Sequence, residues 1–257
     1  MKRNIPAFII IGVISLAFTG TVNAGEEGPA LSYLAQDPER EMAESVSVLI
    51  GWAQGELEEH QDEGLFKDRA RDEQLIQDMI AAAREISRRP HTYWTDQLNN
   101  VDSIAGYQSL AEEIWSQTEG EIDAFVHTVG TAASSRGVAT VLKRLDPKVK
   151  VVVVEPAESA VLSGGQPGPH KIEGVGIGYT PPLWEPSLVD EIVAVSTDDA
   201  KSMARRLARE EGLFAGTSSG ANVVAALRVG ERLGPEARIV TLMADSGLKY
   251  MSTDVYK

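Results

Sequence analysis

The sequence predicts an α/β protein with a mostly parallel sheet flanked by helices, and three observations carry that prediction. From about residue 73 onward, apolar β-branched runs alternate with amphipathic stretches of helical length. The run Val149–Val154 is apolar without interruption, as strands covered on both faces are. The stretch Val129-Gly-Thr-Ala-Ala-Ser-Ser135 follows one apolar strand and opens a helix on small residues alone.

The elements follow in order. A helix over 73–88 carries Leu75, Ile76, Met79, Ile80 and Ile86 on one side. Tyr93–Gln97 reads as a strand and 102–117 as a helix. Ala124–Val129 is a strand, 134–145 a helix and Val149–Val154 the buried strand. A long loop rich in glycine and proline leads to a strand at Glu191–Val195. Ser196 and Asp199 form a variant capping box, and the helix they open runs to Gly212. Leu213–Ala215 is a short strand, Ser219–Leu233 a helix stopped by Gly234-Pro235, and Arg238–Met243 a last strand. Ligands of such sheets sit beyond the carboxyl ends of the strands.

Two segments precede this domain of residues 73–257. Residues 1–24 read as an export signal: Lys2 and Arg3, an apolar stretch from Ile5 to about Phe18, and small residues at Val22 and Ala24 before an acidic run. That stretch is too short and glycine-punctuated to be preferred as a membrane span, so cleavage after Ala24 and a periplasmic or secreted protein are expected, with an uncleaved anchor as the alternative. Residues 25–72 are acidic, with one amphipathic helix capped by Asp37, opened by Pro38 and striped by Met42, Val46, Leu49, Ile50, Ala53 and Leu57.

Composition removes several function classes. The formal net charge is −14 and no basic cluster carries interleaved aromatics, which argues against a nucleic-acid partner. There is no cysteine, hence no disulfide, thiolate nucleophile or thiolate metal site. The four histidines, His60, His91, His127 and His170, have no helical metal-ligand spacing, and no metal is expected.

Three glycine-bearing turns compete for the chemistry. Gly216-Thr-Ser-Ser-Gly220 spells a nucleophile elbow, but the last histidine, His170, precedes Ser218, so no downstream base is available to it. The same spelling suits a helix starting close under a strand. Gly174-Val-Gly-Ile-Gly178 has no strand before it and runs into Pro181-Pro182, which suits a wall better than a dinucleotide fingerprint. The turn at Gly130 is placed to converge backbone N–H groups on an anion at a helix N-terminus, either as a phosphate site or as a plain tight turn.

Six stretches then occur together in order: Trp94-Thr-Asp-Gln-Leu-Asn-Asn100, Val129-Gly-Thr-Ala-Ala-Ser134, Val154-Glu-Pro156, Pro169-His-Lys-Ile-Glu-Gly-Val-Gly176, Glu210-Glu-Gly-Leu-Phe-Ala-Gly-Thr-Ser-Ser-Gly-Ala221 and Asp245-Ser-Gly-Leu-Lys-Tyr-Met-Ser252. Over roughly residues 73–257 they closely resemble the carboxyl-terminal half of the cysteine synthase and cystathionine β-synthase family, fold-type II enzymes that use pyridoxal 5'-phosphate (PLP). The resemblance implies a small-molecule amino-acid substrate, β-replacement or β-elimination on an activated serine, a homodimer and a cytoplasmic location, the last in conflict with the export signal. It maps the family's phosphate loop to Gly130, Thr131, Ala132, Ala133 and Ser134. Two family glycines are alanines here, which suits the loop only where neither backbone needs positive φ. Ser246 matches the serine facing the pyridine nitrogen, with Asp245 pointing elsewhere. Gln97 matches a residue near the substrate carboxylate, and Gly174 and Gly176 the loop lining the pocket.

The family's amino-terminal half carries the Schiff-base lysine and a Ser-Gly-Asn-Thr-Gly loop, and that loop is not found in the sequence. Gly64-Leu-Phe-Lys-Asp-Arg69 resembles the stretch around the lysine and makes Lys67 the candidate, although a solvated charge cluster on a helix would read the same way. Two expectations stay open. One is a PLP-dependent transferase or lyase impaired by an incomplete cofactor domain; the other is a non-catalytic remnant serving as a binding or structural domain.

Overall fold

The computed structural model describes residues 8–11, 78 and 80–257. The acidic helix expected within 25–72, Lys67, and the export segment other than Phe8–Ile11 lie outside the described residues. The chain divides into two compact units, one of Met1–Leu16 with Asp96–Lys257 and one of Ala17–Thr95.

In the smaller unit the described residues are helical at 78 and 80–86. Tyr93–Gln97, expected as a strand, is irregular chain leading into a turn at 97–99. The reason lies at Asp96, which begins the larger unit. Its φ is +41°, and its carbonyl accepts from the N–H groups of both Asn99 and Asn100, a geometry no extended strand can adopt.

The larger unit is built on a parallel sheet of β1 (Phe8–Ile11), β2 (Ala124–Thr128), β3 (Lys150–Pro156), β4 (Glu191–Val195) and β5 (Ile239–Leu242). The strand order is β1-β5-β2-β3-β4, and every pairing is parallel. Phe8–Ile11, part of the apolar stretch read as an export signal, pairs with Ile239–Leu242 at one edge. Side chains of β2 alternate between two faces. Ala124 and Val126 join Val152, Val154, Val193 and Ile239 in a core covered by α4 (Thr197–Arg206) and α5 (Thr217–Leu233). Phe125 joins Val240, Leu242 and Val149 in a second core under α2 (Gln108–Gln117) and α3 (Ala133–Leu145). The result is a sheet with helices on both faces, as the sequence predicts.

The helix expected over 102–117 is two, α1 (Asp102–Gly106) and α2, separated at Tyr107. The break lies against Gly137 of α3, where an added Cβ would meet Ile104 O at 2.5 Å and Tyr107 Cβ at 2.7 Å. Ser196 caps α4 by accepting from Asp199 N–H at 3.1 Å. Its last turn widens into a π-helical segment, Leu207–Glu211, and ends at Gly212 with φ +69°, the left-handed stop expected of that glycine. Leu213–Ala215 contributes a single antiparallel bridge, Ala215 to Ser246, rather than a strand. No helix among the described residues is long and apolar enough to cross a membrane.

Candidate active site

The turn from β2 into α3 lies at the carboxyl end of the sheet, where open α/β sheets place their ligands. Ala132 precedes α3 in the left-handed region, with φ +71° and ψ −2°. The condition attached to the two alanines, that neither needs positive φ, therefore fails at Ala132. The loop keeps the shape that a glycine would take freely, and the methyl is accommodated in a buried position. A left-handed residue followed by a helical start turns successive N–H groups toward one point, and a 13-residue helix adds its dipole. Thr131 and Ser134 carry hydroxyls in the same turn, Thr131 Oγ1 accepting from Ala133 N–H at 3.4 Å, so N–H and hydroxyl donors of the kind a phosphate takes stand together.

An Ala132→Gly substitution tests this strain. Relief of about 1–2 kcal/mol offsets the lost buried methyl and the freer unfolded chain, so stability changes by less than about 0.5 kcal/mol. Ala133→Gly, one residue on with helical backbone, has no strain to relieve and costs about 1–2 kcal/mol. Urea midpoints of the two variants check the contrast.

The second mapped loop closes on the first. Gly130 has no space for a Cβ, which would lie 2.4 Å from Gly174 O, and Gly176 N–H donates to Val129 O at 3.2 Å. Gly174, Gly176 and Gly178 all have positive φ, between +61° and +84°. His170 Nε2 lies 3.0 Å from the Gly176 carbonyl, which holds the loop from its far side. Between the loops and β3 is a shallow, open cleft lined by Gly130, Glu155, Ser159, Gly176 and Tyr179 among others. Glu155 is buried there and accepts from Leu162 N, Ser163 N and Ser163 Oγ, which anchors the chain leaving β3. The Ser159 hydroxyl is buried without a partner.

The start of α5 ties these loops to Ser246. Thr217 Oγ1 accepts from Glu173 N–H at 3.2 Å, and Gly216 N–H donates to Asp245 O at 3.3 Å. Ser246 is exposed, and its Oγ accepts from Leu248 N–H, so its own proton remains to be donated outward. Asp245 does point elsewhere. Its Oδ2 accepts from Tyr250 OH at 2.6 Å, and its buried Oδ1 faces Gly216, where a Cβ would come within 2.1 Å. Burial, then this carboxylate, raises the Tyr250 pKa well above the ordinary phenol. Ser218 is buried in the first turn of α5, and Ser219 Oγ accepts from Ala244 N–H. The elbow-like spelling thus packs a helix start and presents no nucleophile. Gln97 is exposed in the turn at 97–99, and no hydrogen bond among the described residues ties it to these loops.

Two residues that sequence reasoning missed hold the base of the turn. His127 Nε2 is 2.9 Å from Ser134 Oγ, and His127 Nδ1 is 3.4 Å from Asn222 Nδ2. Fully buried Asn222 also accepts from Thr128 N–H at 2.7 Å and donates to Leu242 O at 2.8 Å. One signal was available for His127. It stands two residues after Phe125 on the same strand face and three residues before Gly130 of the small-residue turn, a placement that metal-ligand spacing does not capture.

Burial lowers the His127 pKa to about 4. The folded state then binds fewer protons at this site than the unfolded chain between about pH 6.5 and 4, so stability falls as pH drops through that window. The loss amounts to about 3 kcal/mol at most. Denaturant unfolding of His127→Gln beside the parent, from pH 7 to pH 4, reads it as a shallower slope in the variant.

Backbone donors at a helix N-terminus, a glycine loop folded over them and a neutral hydroxyl beyond the neighbouring strand make an α/β protein whose site fits a phosphorylated ligand. Residues 65–245 match the family described as pyridoxal-phosphate dependent enzyme, and the chain belongs to that family. It is 38% identical over 179 residues to a cysteine synthase of Staphylococcus aureus, a match covering 69% of this chain and 58% of that protein. Among solved structures it is similar to O-acetyl serine sulfhydrylase isoform 3 from Entamoeba histolytica, at 42% identity and a TM-score of 0.66 over 69% of this chain and 54% of that one. It is also similar to the O-acetylserine dependent cystathionine β-synthase from Helicobacter pylori, at 35% identity and a TM-score of 0.66 over 69% and 58%. The chain thus spans little more than half the length of these relatives. The expected family and fold class are borne out.

Proposed function

We propose that the chain carries PLP and exchanges the β-substituent of an activated serine, such as an O-acetylated one, for a sulfur nucleophile. The observation that supports this best is the clamp of Gly130–Ser134 against Gly174–Gly176, with Ser246 joined to it through Glu173, Thr217 and Gly216. When bound, the cofactor supplies an electron sink that loosens the α-proton and β-substituent of an amino acid.

The residues divide the remaining work. Gly130, Thr131, Ala132, Ala133 and Ser134 hold the phosphate through N–H groups and hydroxyls. Ser246 offers a neutral hydroxyl to the ring nitrogen; a carboxylate there would hold that nitrogen protonated, so the hydroxyl moderates the sink and favours loss of the β-substituent. Gly174 and Gly176 wall the substrate space, and Gln97 serves the substrate carboxylate. Lys67 is the lysine that would hold the cofactor and carry the α-proton; the family match begins at residue 65 and so includes it.

The test is a PLP titration of the full chain. An absorbance band at the edge of the visible that disappears in Lys67→Ala, with cysteine formed from O-acetylserine and sulfide, supports the reading. Folded protein that develops no such band overturns it, and a band that survives Lys67→Ala moves the role to another lysine. Export is a separate proposal, because cleavage after Ala24 would remove the strand Phe8–Ile11 from the sheet. Mass spectrometry of the protein recovered from cells decides it: a chain beginning at Gly25 supports export, and one retaining Phe8 refutes cleavage.

A further inference from the structure

We infer that His127 is a positioning residue that fixes the Ser134 hydroxyl as a hydrogen-bond donor to the cofactor's phosphate, through a one-way chain of hydrogen bonds starting at Asn222. The inference rests on the PLP reading and adds to it a residue outside the small-residue turn.

The direction of the chain follows from its two backbone ends. Thr128 N–H can only donate, so the Asn222 atom facing it at 2.7 Å is the carbonyl oxygen. Leu242 O can only accept, so the atom facing it at 2.8 Å is the amide nitrogen. The orientation of Asn222 is thus fixed from both sides. The same amide nitrogen lies 3.4 Å from His127 Nδ1, and being a donor it requires a lone pair there. The imidazole proton is then on Nε2, which faces Ser134 Oγ at 2.9 Å. With one lone pair of Oγ taken by this N–H, the serine cannot give its proton back to the ring. That proton is left for an acceptor on the open side of the half-buried residue, at the first turn of α3 where the N–H groups converge.

A protonated ring would break this order. Both nitrogens would then carry protons, and Nδ1–H would face the Asn222 NH₂ group donor to donor. Burial, which disfavours the charged imidazole, acts in the same sense as the network.

The first measurement needs no cofactor. In ¹⁵N spectra of the full chain, His127 is expected to show an acceptor-type Nδ1 and a protonated Nε2 across neutral pH; the opposite tautomer overturns the inference. The second compares equilibrium binding of PLP with pyridoxal, which lacks the phosphate. Ser134→Ala and His127→Leu are each expected to weaken PLP about tenfold and to leave pyridoxal unchanged, which a merely structural role of His127 would not do. The double variant is expected to be no weaker than Ser134→Ala alone, because His127 acts through that hydroxyl. An unchanged preference for PLP in folded His127→Leu overturns the inference. A further tenfold loss on adding that change to Ser134→Ala does so too. Should the leucine variant fail to fold, His127→Gln, which keeps a donor, replaces it and is expected to keep at least part of the preference; its complete loss there counts against the inference. A wild-type chain that binds PLP no better than pyridoxal removes the cofactor reading itself, and this inference with it.

Discussion

Asn222→Leu is expected to lower stability by about 3 kcal/mol, because it strips two buried backbone groups of their hydrogen-bond partner. The side chain is fully buried, and leucine repeats its branching with bulkier methyl tips, so any overpacking acts in the same, destabilising sense. The main change is in hydrogen bonding. Strands β2 and β5 pair from Ala124 with Ile239 to Val126 with Thr241 and then separate. Beyond that point Thr128 N–H and Leu242 O both turn to Asn222, at 2.7 and 2.8 Å. Leucine leaves both backbone groups buried without a partner, at about 1–3 kcal/mol each before any relaxation. Asn222→Asp is a sharper control, because it keeps an acceptor for Thr128 N–H but sets an oxygen against Leu242 O and His127 Nδ1. Urea unfolding should find both variants destabilised. A midpoint unchanged in the leucine variant would show that water or backbone movement replaces the amide.

This residue also marks how far the sequence could be read. The strands β2, β3, β4 and β5 were legible because their apolar runs are continuous or nearly so, and the helix ends at Ser196 and Gly212 because capping chemistry is local. The turn at Gly130 was legible for the same reason, since a strand, small residues and a helix stand next to one another in the chain. Asn222 was not, because its partners Thr128 and Leu242 are 94 and 20 residues away and nothing in its helical surroundings marks it. Tyr93–Gln97 failed in the opposite way. Its aromatic and β-branched residues suit a strand, but Asp96 turns the chain with a positive φ that composition does not record. The left-handed Ala132 was likewise hidden, since an alanine carries no outward sign of the conformation it is held in.

Gly216-x-Ser218-x-Gly220 offers the second large effect, at a position the elbow spelling would treat as incidental. Gly220→Ala is expected to destabilise by about 2–3 kcal/mol, against the helix-propensity gain of about 1 kcal/mol that such a change ordinarily brings. The sign is decided by what a Cβ would meet. It would lie 2.1 Å from Ala200 O and 3.0 Å from both Ala200 C and Ala204 N, all atoms of the neighbouring helix backbone. A flexible side chain could swing aside, but a helix backbone must move as a unit. Pushing α4 from α5 also strains the core of Ala200, Met203, Ala221 and Ala225 that both helices share. Gly106→Ala is the matched control, because nothing lies within 4 Å of its added Cβ and its φ is not positive. That variant should be neutral or slightly more stable. Equal midpoints for the two substitutions would mean that α4 and α5 separate at little cost, and that the close approach at Gly220 does not hold the start of α5 in place.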